Sequence, residues 1–332
     1  MPPPVSEQRV VGQRAKRVDA AERVTGRAMN PADPVRPRTV VGRIKRSPHA
    51  HARIVSIDAR KALALDGVLA VVTADDFVDV PYGATIPMGE TGQDMWGMAV
   101  GNIARGKALW IGHPVAAVAA RTRHIAAAAL DLIEVVYEPL PAAVGREQAM
   151  SPGAPRIHET IPAKGFEAER PLPNAGARTV IARGDAAVAL DLAPVKVSFE
   201  TRIDTAHQGY IEPPAVVAEA DTSGMITIWA STQGAFTTEM QVAAMLGLPQ
   251  SRIRVVPMEI GGGFGGKIAT HIEPVAARLA QKCGRPVRIV MSREEVLIGT
   301  GPAAGARVAV EVGAEKDGRI TAIRGDYRYD SG

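Results

Sequence analysis

Residues 261–267 read Gly-Gly-Gly-Phe-Gly-Gly-Lys and carry most of the chemical information in this sequence. One side chain among the first six residues leaves a row of bare backbone N–H groups. Glycine admits positive φ and close approach, so such a loop suits a large anionic ligand. Phe264 stands out from it as a wall. The spacing Gly261-x-Gly263-x-x-Gly266 also fits a dinucleotide-binding turn between strand and helix. That reading wants an acid about twenty residues on. There stand Gly284, Arg285, Pro286 and Val287, with acids returning at Glu294 and Glu295. Spelled Gly261-xxxx-Gly266-Lys267, the run opens like a P-loop, but Ile268 stands where Ser or Thr would hold magnesium. A glycine turn without ligand is a further reading.

Other polar residues qualify less clearly. Gln233 ends Ser231-Thr232-Gln233, after a predicted strand, where ligands of α/β folds sit. Its amide donates hydrogen bonds without adding charge, although a turn residue would look the same. Lys267 would either pair with a phosphate or be solvated. His207 and Glu212 share one short segment, but one histidine and one carboxylate fall short of a metal site. His49 and His51 would share one face of a strand, with no carboxylate or cysteine close in sequence. Asp75-Asp76 reads as a helix cap and first turn.

The elements that would position these groups follow from pattern. Thr39–Ile44, Ala52–Asp58, Val68–Thr73, Val115–Ala120 and Ile133–Glu138 read as strands, with helices after Asp58 and Thr122. Residues 82–102, rich in Gly and Met, read as a loop, and the proline- and glycine-rich stretch 146–178 as a linker. Beyond it, Asp185 precedes a short helix, and Val195–Glu200, Val216–Ala220, Met225–Ala230 and Ile253–Ile260 read as strands. Thr238-Glu239-Met240-Gln241 reads as a capping box whose helix stops at Gly247. Pro274 fits the first turn of a helix that follows the glycine loop. The fold class is α+β.

Composition bounds the function. The chain has 332 residues, 46% of them hydrophobic, enough for about two cored domains. Its net charge of +4 is spread rather than clustered and only 4% of residues are aromatic, so nucleic-acid binding is not expected. No apolar run is long enough for a membrane span, and the N-terminus lacks a signal pattern, so a cytoplasmic location is expected. Cys283 is the single cysteine, which excludes an internal disulfide and a self-contained iron–sulfur cluster.

An ordered set of motifs resembles one known family. Gly261–Lys267, Ser231-Thr232-Gln233 and His207-Gln208-Gly209-Tyr210-Ile211-Glu212-Pro213 are similar to the molybdenum-binding large subunit of the xanthine dehydrogenase and aldehyde oxidase family. So are Val24-Thr25-Gly26-Arg27-Ala28, Ser47-Pro48-His49-Ala50-His51-Ala52-Arg53-Ile54, Gly112-His113-Pro114-Val115-Ala116 and Tyr137-Glu138-Pro139-Leu140-Pro141. The resemblance implies an extended N-terminal arm (1–37), a small hammerhead-like α/β domain (38–145), the linker (146–178) and the first part of a mixed α/β molybdopterin-binding domain (179–332).

It also implies a molybdenum–molybdopterin cofactor, expected in its cytosine dinucleotide form. Gln233, Gly262, Gly263, Phe264, Gly265 and Gly266 would contact it, with no residue ligating the metal directly. The implied reaction hydroxylates an aldehyde or N-heterocycle with oxygen from water. Electrons would pass to 2Fe-2S and FAD groups on partner subunits. Family members continue beyond a motif like Asp330-Ser331-Gly332, so the general-base glutamate and a second half of the molybdenum subunit are expected outside this chain. Purine-oxidising relatives carry a glutamate where Ile268 stands, so xanthine is not the expected substrate. A non-catalytic scaffold of such a complex and an NAD-binding oxidoreductase are the alternatives.

Overall fold

A computed structural model describes residues 11–33, 36–88, 91–158 and 173–330. The first half runs α1 (Ala20–Val24), β1 (Val40–Arg46), β2 (Ala52–Asp58), α2 (Arg60–Ala64), β3 (Val68–Val72), β4 (Thr85–Met88), β5 (Thr91–Asp94), α3 (Met95–Asn102), β6 (Lys107–Ala108), β7 (Pro114–Ala120), α4 (Arg123–Leu132), β8 (Glu134–Pro139) and α5 (Arg146–Met150). The second runs α6 (Ala186–Leu192), β9 (Val195–Ile203), β10 (Ala215–Ala220), β11 (Ile226–Ala230), α7 (Ala235–Leu246), β12 (Ile253–Pro257), α8 (Glu273–Cys283), β13 (Val287–Val290), α9 (Arg293–Gly299), β14 (Ala306–Ala314) and β15 (Ile320–Tyr329). The architecture is mixed α/β.

One seven-stranded sheet, in the order β12-β11-β10-β13-β1-β7-β3, joins strands from before and after residues 146–178. The seam is the parallel pair of β1 with β13, Val40 opposite Val287. β7 is buried along its whole length. Its Ala117 and Ala119 face one core with Val216, Ile228 and Leu279. Its Ala116 and Val118 face a second core with Ala126, Ala129 and Ile133 of the α4 region. Burial on both faces explains a run of small apolar residues without alternation. The arm packs on this body: Glu259 donates its N–H to Met29 O, and Arg36 pairs with Glu219 while lying over the Trp229 ring.

A separate three-stranded antiparallel sheet, β15-β14-β9, has two unlike faces. One carries cross-strand ion pairs, Arg307 with Glu200 and Arg324 with Glu311, and packs on α6 through Leu190 and Ala193. By register the other presents Val197, Phe199, Ile203, Val310, Val312, Ile323, Tyr327 and Tyr329. Phe199 and Tyr329 are 63% and 65% exposed.

Several elements differ from expectation. The stretch 82–102 is a β4–β5 hairpin and helix α3, whose N-terminus Asp94 caps by accepting from Trp96 N–H. Thr238 and Gln241 do not form a capping box. Helix α7 already starts at Ala235, with Gly234 as its N-cap, so Thr238 lies inside it. Their side chains serve tertiary contacts instead: Thr238 Oγ1 meets Thr232 Oγ1 at 2.9 Å, and Gln241 Oε1 accepts from Thr270 N–H at 2.9 Å. His49 and His51 precede β2 rather than sharing a strand face; His51 Nδ1 lies 2.7 Å from Pro141 O. Part of the expected linker, 159–172, lies outside the described residues, as do residues 1–10 of the arm and the last two residues, 331–332.

Candidate functional site

β11 and β12 run parallel, and Ser231-Thr232-Gln233 and Gly261–Lys267 lie beyond their C-terminal ends. The two segments are knitted together. Gln233 N–H donates to Lys267 O at 3.0 Å, and Thr232 Oγ1 donates to the same oxygen at 3.3 Å. Gln233 Oε1 accepts from Gly265 N–H at 3.0 Å and Lys267 N–H at 3.1 Å. Both partners are donors, so the carbonyl end of the amide faces the loop. The Nε2 end is left without an acceptor among the described residues.

The glycines are required by two different causes. Gly262 and Gly265 have φ of 98° and 91°, where a side chain is strained. At Gly263 a Cβ would lie 2.5 Å from Gln233 Oε1, and at Gly266 it would lie 2.9 Å from the Tyr210 ring. Phe264 itself has φ of 50°, unusual for a bulky residue, and is 74% exposed. Such an outlier persists only where the surrounding loop holds it.

The loop's own polar groups are partly used. Gly265 N–H belongs to Gln233, and Gly266 N–H donates to Gly263 O at 2.8 Å. His271, half-buried, sits 3.0 Å from Gly266 O through Nε2, and desolvation pushes its pKa down. Among the described residues, the N–H groups of Gly262, Gly263 and Phe264 have no acceptor. These three, with Gln233 Nε2, form a donor set suited to an oxygen-rich anionic group. Gln208 Oε1, buried and unpartnered beside Gly266, adds one acceptor for a heterocycle's N–H. The donor set therefore fits an anionic pterin cofactor.

Lys267 follows neither reading of its sequence. Its side chain is 2% exposed, paired with Glu212 at 2.8 Å and 4.9 Å from the centre of the Tyr210 ring. It is neither solvated nor available to a phosphate, and burial lowers its pKa. His207 and Glu212 do not converge either. His207 Nε2 meets Thr300 Oγ1 at 2.9 Å, while Glu212 Oε2 accepts from Gly261 N–H at 2.7 Å. The described residues contain no cluster of three potential metal ligands. Tyr210, Thr300 and His271 support the loop, although no local pattern in the sequence marks them for that role. Only the position of Tyr210 between His207 and Glu212 hints at it.

The dinucleotide reading fails on geometry. Its third glycine should open a helix, so that phosphate meets the helix N-terminus. Here α8 begins at Glu273, well after Gly266, and Glu273 caps that end by accepting from His271 and Ile272 N–H.

Comparisons with known proteins place the chain in a family. Residues 25–141 match the aldehyde oxidase and xanthine dehydrogenase a/b hammerhead domain, and residues 169–332 the molybdopterin cofactor-binding domain. The nicotinate dehydrogenase large molybdopterin subunit of Eubacterium barkeri is 31% identical over 98% of this chain and 72% of its own length. The carbon monoxide dehydrogenase large chain of Afipia carboxidovorans is 34% identical over 97% of this chain, which spans only 40% of that relative. The crystal structure of quinoline 2-oxidoreductase from Pseudomonas putida 86 superposes with a TM-score of 0.80 at 31% identity, covering 95% of this chain and 39% of that one. With a hammerhead domain, a molybdopterin-binding domain and a glycine loop built over Gln233, this chain belongs to the xanthine dehydrogenase and aldehyde oxidase family of molybdopterin-binding large subunits.

Proposed function

We propose that this chain is the cofactor-holding part of a molybdenum hydroxylase that oxidises an aldehyde or N-heterocycle. The observation that carries this reading is the donor array of Gly262, Gly263, Phe264 and Gln233 at the strand ends. When bound, the molybdenum–molybdopterin group supplies a redox-active metal centre for moving water-derived oxygen onto carbon. The chain's own residues bind and orient it. The three loop N–H groups and Gln233 Nε2 donate to cofactor oxygens without adding charge, and fixed donors of this kind stabilise charge best once the bound group covers them from water. Phe264 supplies an apolar wall, and Ile268, 41% exposed just beyond the loop, offers a purine no hydrogen bond.

Glu212, the carboxylate tied to the loop, is held by Lys267 and Gly261, which supports a general base from outside this chain. The exposed apolar face of β9, β14 and β15 supports a partner polypeptide, which we take to be the remainder of the molybdenum subunit. Separate iron–sulfur and FAD subunits, a cytosine dinucleotide form of the pterin and a cytoplasmic location complete the reading. Two relatives carry the names of N-heterocycles, nicotinate and quinoline, which favours that substrate class. A non-catalytic scaffold would fold in the same way but leave the donor array without purpose.

Turnover by the chain assembled with its neighbouring gene products tests this. Aldehydes and N-heterocycles, with a redox dye and isotopically labelled water, should give product carrying the label. Product without label, or no turnover by a complex full of molybdenum, would overturn the assignment.

A further inference from the structure

We propose that Glu212, Lys267 and Tyr210 are positioning residues that preset the glycine loop and, through Lys267, fix which end of the Gln233 amide faces the ligand. A single carboxylate oxygen ties both ends of the loop. Glu212 Oε2 accepts from Gly261 N–H at 2.7 Å and from Lys267 Nζ at 2.8 Å. Glu212 N–H donates in turn to Gly261 O at 3.2 Å. The Tyr210 ring lies under the Lys267 ammonium at 4.9 Å, and its hydroxyl donates to Thr300 Oγ1 at 3.2 Å. The whole segment is pinned from α9, where Arg293 donates to Tyr210 O at 2.9 Å and to Ile211 O at 2.5 Å.

The lysine backbone then carries the constraint to the amide. Lys267 N–H meets Gln233 Oε1, and Lys267 O accepts from Gln233 N–H and the Thr232 hydroxyl. With its carbonyl end satisfied twice, Gln233 has only Nε2 left to offer. The left-handed or strained backbone at Gly262, Phe264 and Gly265 is thus closed by a hoop rather than left to the ligand to organise. The ion pair is buried, so removing one partner strands the other charge, whereas neutralising both does not.

The orienting role rests on the proposed cofactor reading, but the hoop can be tested without it. Hydrogen exchange on the full chain, free of cofactor, should resolve the amides of Gly265 and Lys267. Lys267→Met and Glu212→Gln should each speed their exchange by about tenfold to a hundredfold, the range of couplings between contacting residues. Amides of β10 and α7 should be unchanged. The double variant Glu212→Gln/Lys267→Met keeps an acceptor for Gly261 and no stranded charge, so exchange should return most of the way to wild type. That rescue is the readout a general loss of stability would not give. If Lys267→Met fails to fold, the double variant and Glu212→Gln still decide. Wild-type exchange in both single variants, or a double variant as fast as the singles, would overturn the proposal. In the assembled complex, the single variants should lose pterin, read by fluorescence after release, at least tenfold faster than wild type. Equal retention would overturn the presetting of the loop for its ligand, and kcat per molybdenum equal to wild type in both single variants would overturn the orienting of Gln233. A wild-type complex that holds no pterin refutes the cofactor reading, and the exchange data then judge the hoop alone.

Discussion

Gly263→Ala and Gly265→Ala change one hydrogen to one methyl, two residues apart, and should fail in different ways. At Gly263 the new Cβ would lie 2.5 Å from Gln233 Oε1 and 2.7 Å from its Cδ. The amide is the far end of a flexible side chain, so it moves rather than the backbone. In moving it gives up the hydrogen bonds from Gly265 and Lys267 N–H, which costs about 1–3 kcal/mol at roughly 0.5–1.5 each. At Gly265 a methyl meets nothing within 4 Å, but φ of 91° strains any side chain. That cost is also about 1–2 kcal/mol, with Gln233 left in place. Urea unfolding should therefore rank the two variants together. Hydrogen exchange should not: the Lys267 amide loses protection in Gly263→Ala and keeps it in Gly265→Ala. Turnover of the assembled complex should follow exchange rather than stability. Equal protection of Lys267 in both variants would refute the argument that Gly263 exists to make room for Gln233.

Gln233→Ala should leave the cofactor in place yet slow turnover by about 2–4 kcal/mol if the amide stabilises charge that develops during reaction, as measured by kcat of the assembled complex against its molybdenum content. His113, fully buried, accepts from Leu109 N–H through Nδ1 and lies 2.7 Å from Val100 O through Nε2, so it is held neutral and burial lowers its pKa to about 4. A depressed histidine pKa contributes stability that is complete above about pH 6.5 and is lost as pH falls toward 4; urea unfolding should show a loss of about 3 kcal/mol across that window, and His113→Gln should flatten it. Phe199→Lys with Tyr327→Lys should reduce concentration-dependent light scattering of the isolated chain without lowering its melting temperature, because both side chains are more than half exposed on the apolar sheet face.

Much of this fold is legible in local pattern. The strand-forming run Ala52–Asp58, the cap at Asp185 and Pro274 in the first turn of α8 all act within a few residues. What escapes the sequence is set by distant partners. Thr238 and Gln241 have capping-box spacing, but their side chains are claimed by Thr232 and Thr270, and Gly234 starts the helix instead. The seam between β1 and β13 joins segments on opposite sides of a proline-rich stretch, and no local period announces it. The glycine loop and Gln233 are recognisable as a pair by their motifs. The role of Lys267 is not, because its burial depends on Glu212 and Tyr210 from another segment, and a lysine after glycines reads locally as free for a phosphate.

The loop at Gly261–Lys267 and Gln233 are proposed to hold a molybdenum pterin. The direct measurement is metal and pterin content of the chain copurified with the products of its neighbouring genes. Molybdenum and pterin should be present in equal amounts, near one per chain, and both should be lost when Gly263 is replaced by Val. A complex that carries neither, or one in which the Gly263 variant keeps full molybdenum occupancy, would contradict it.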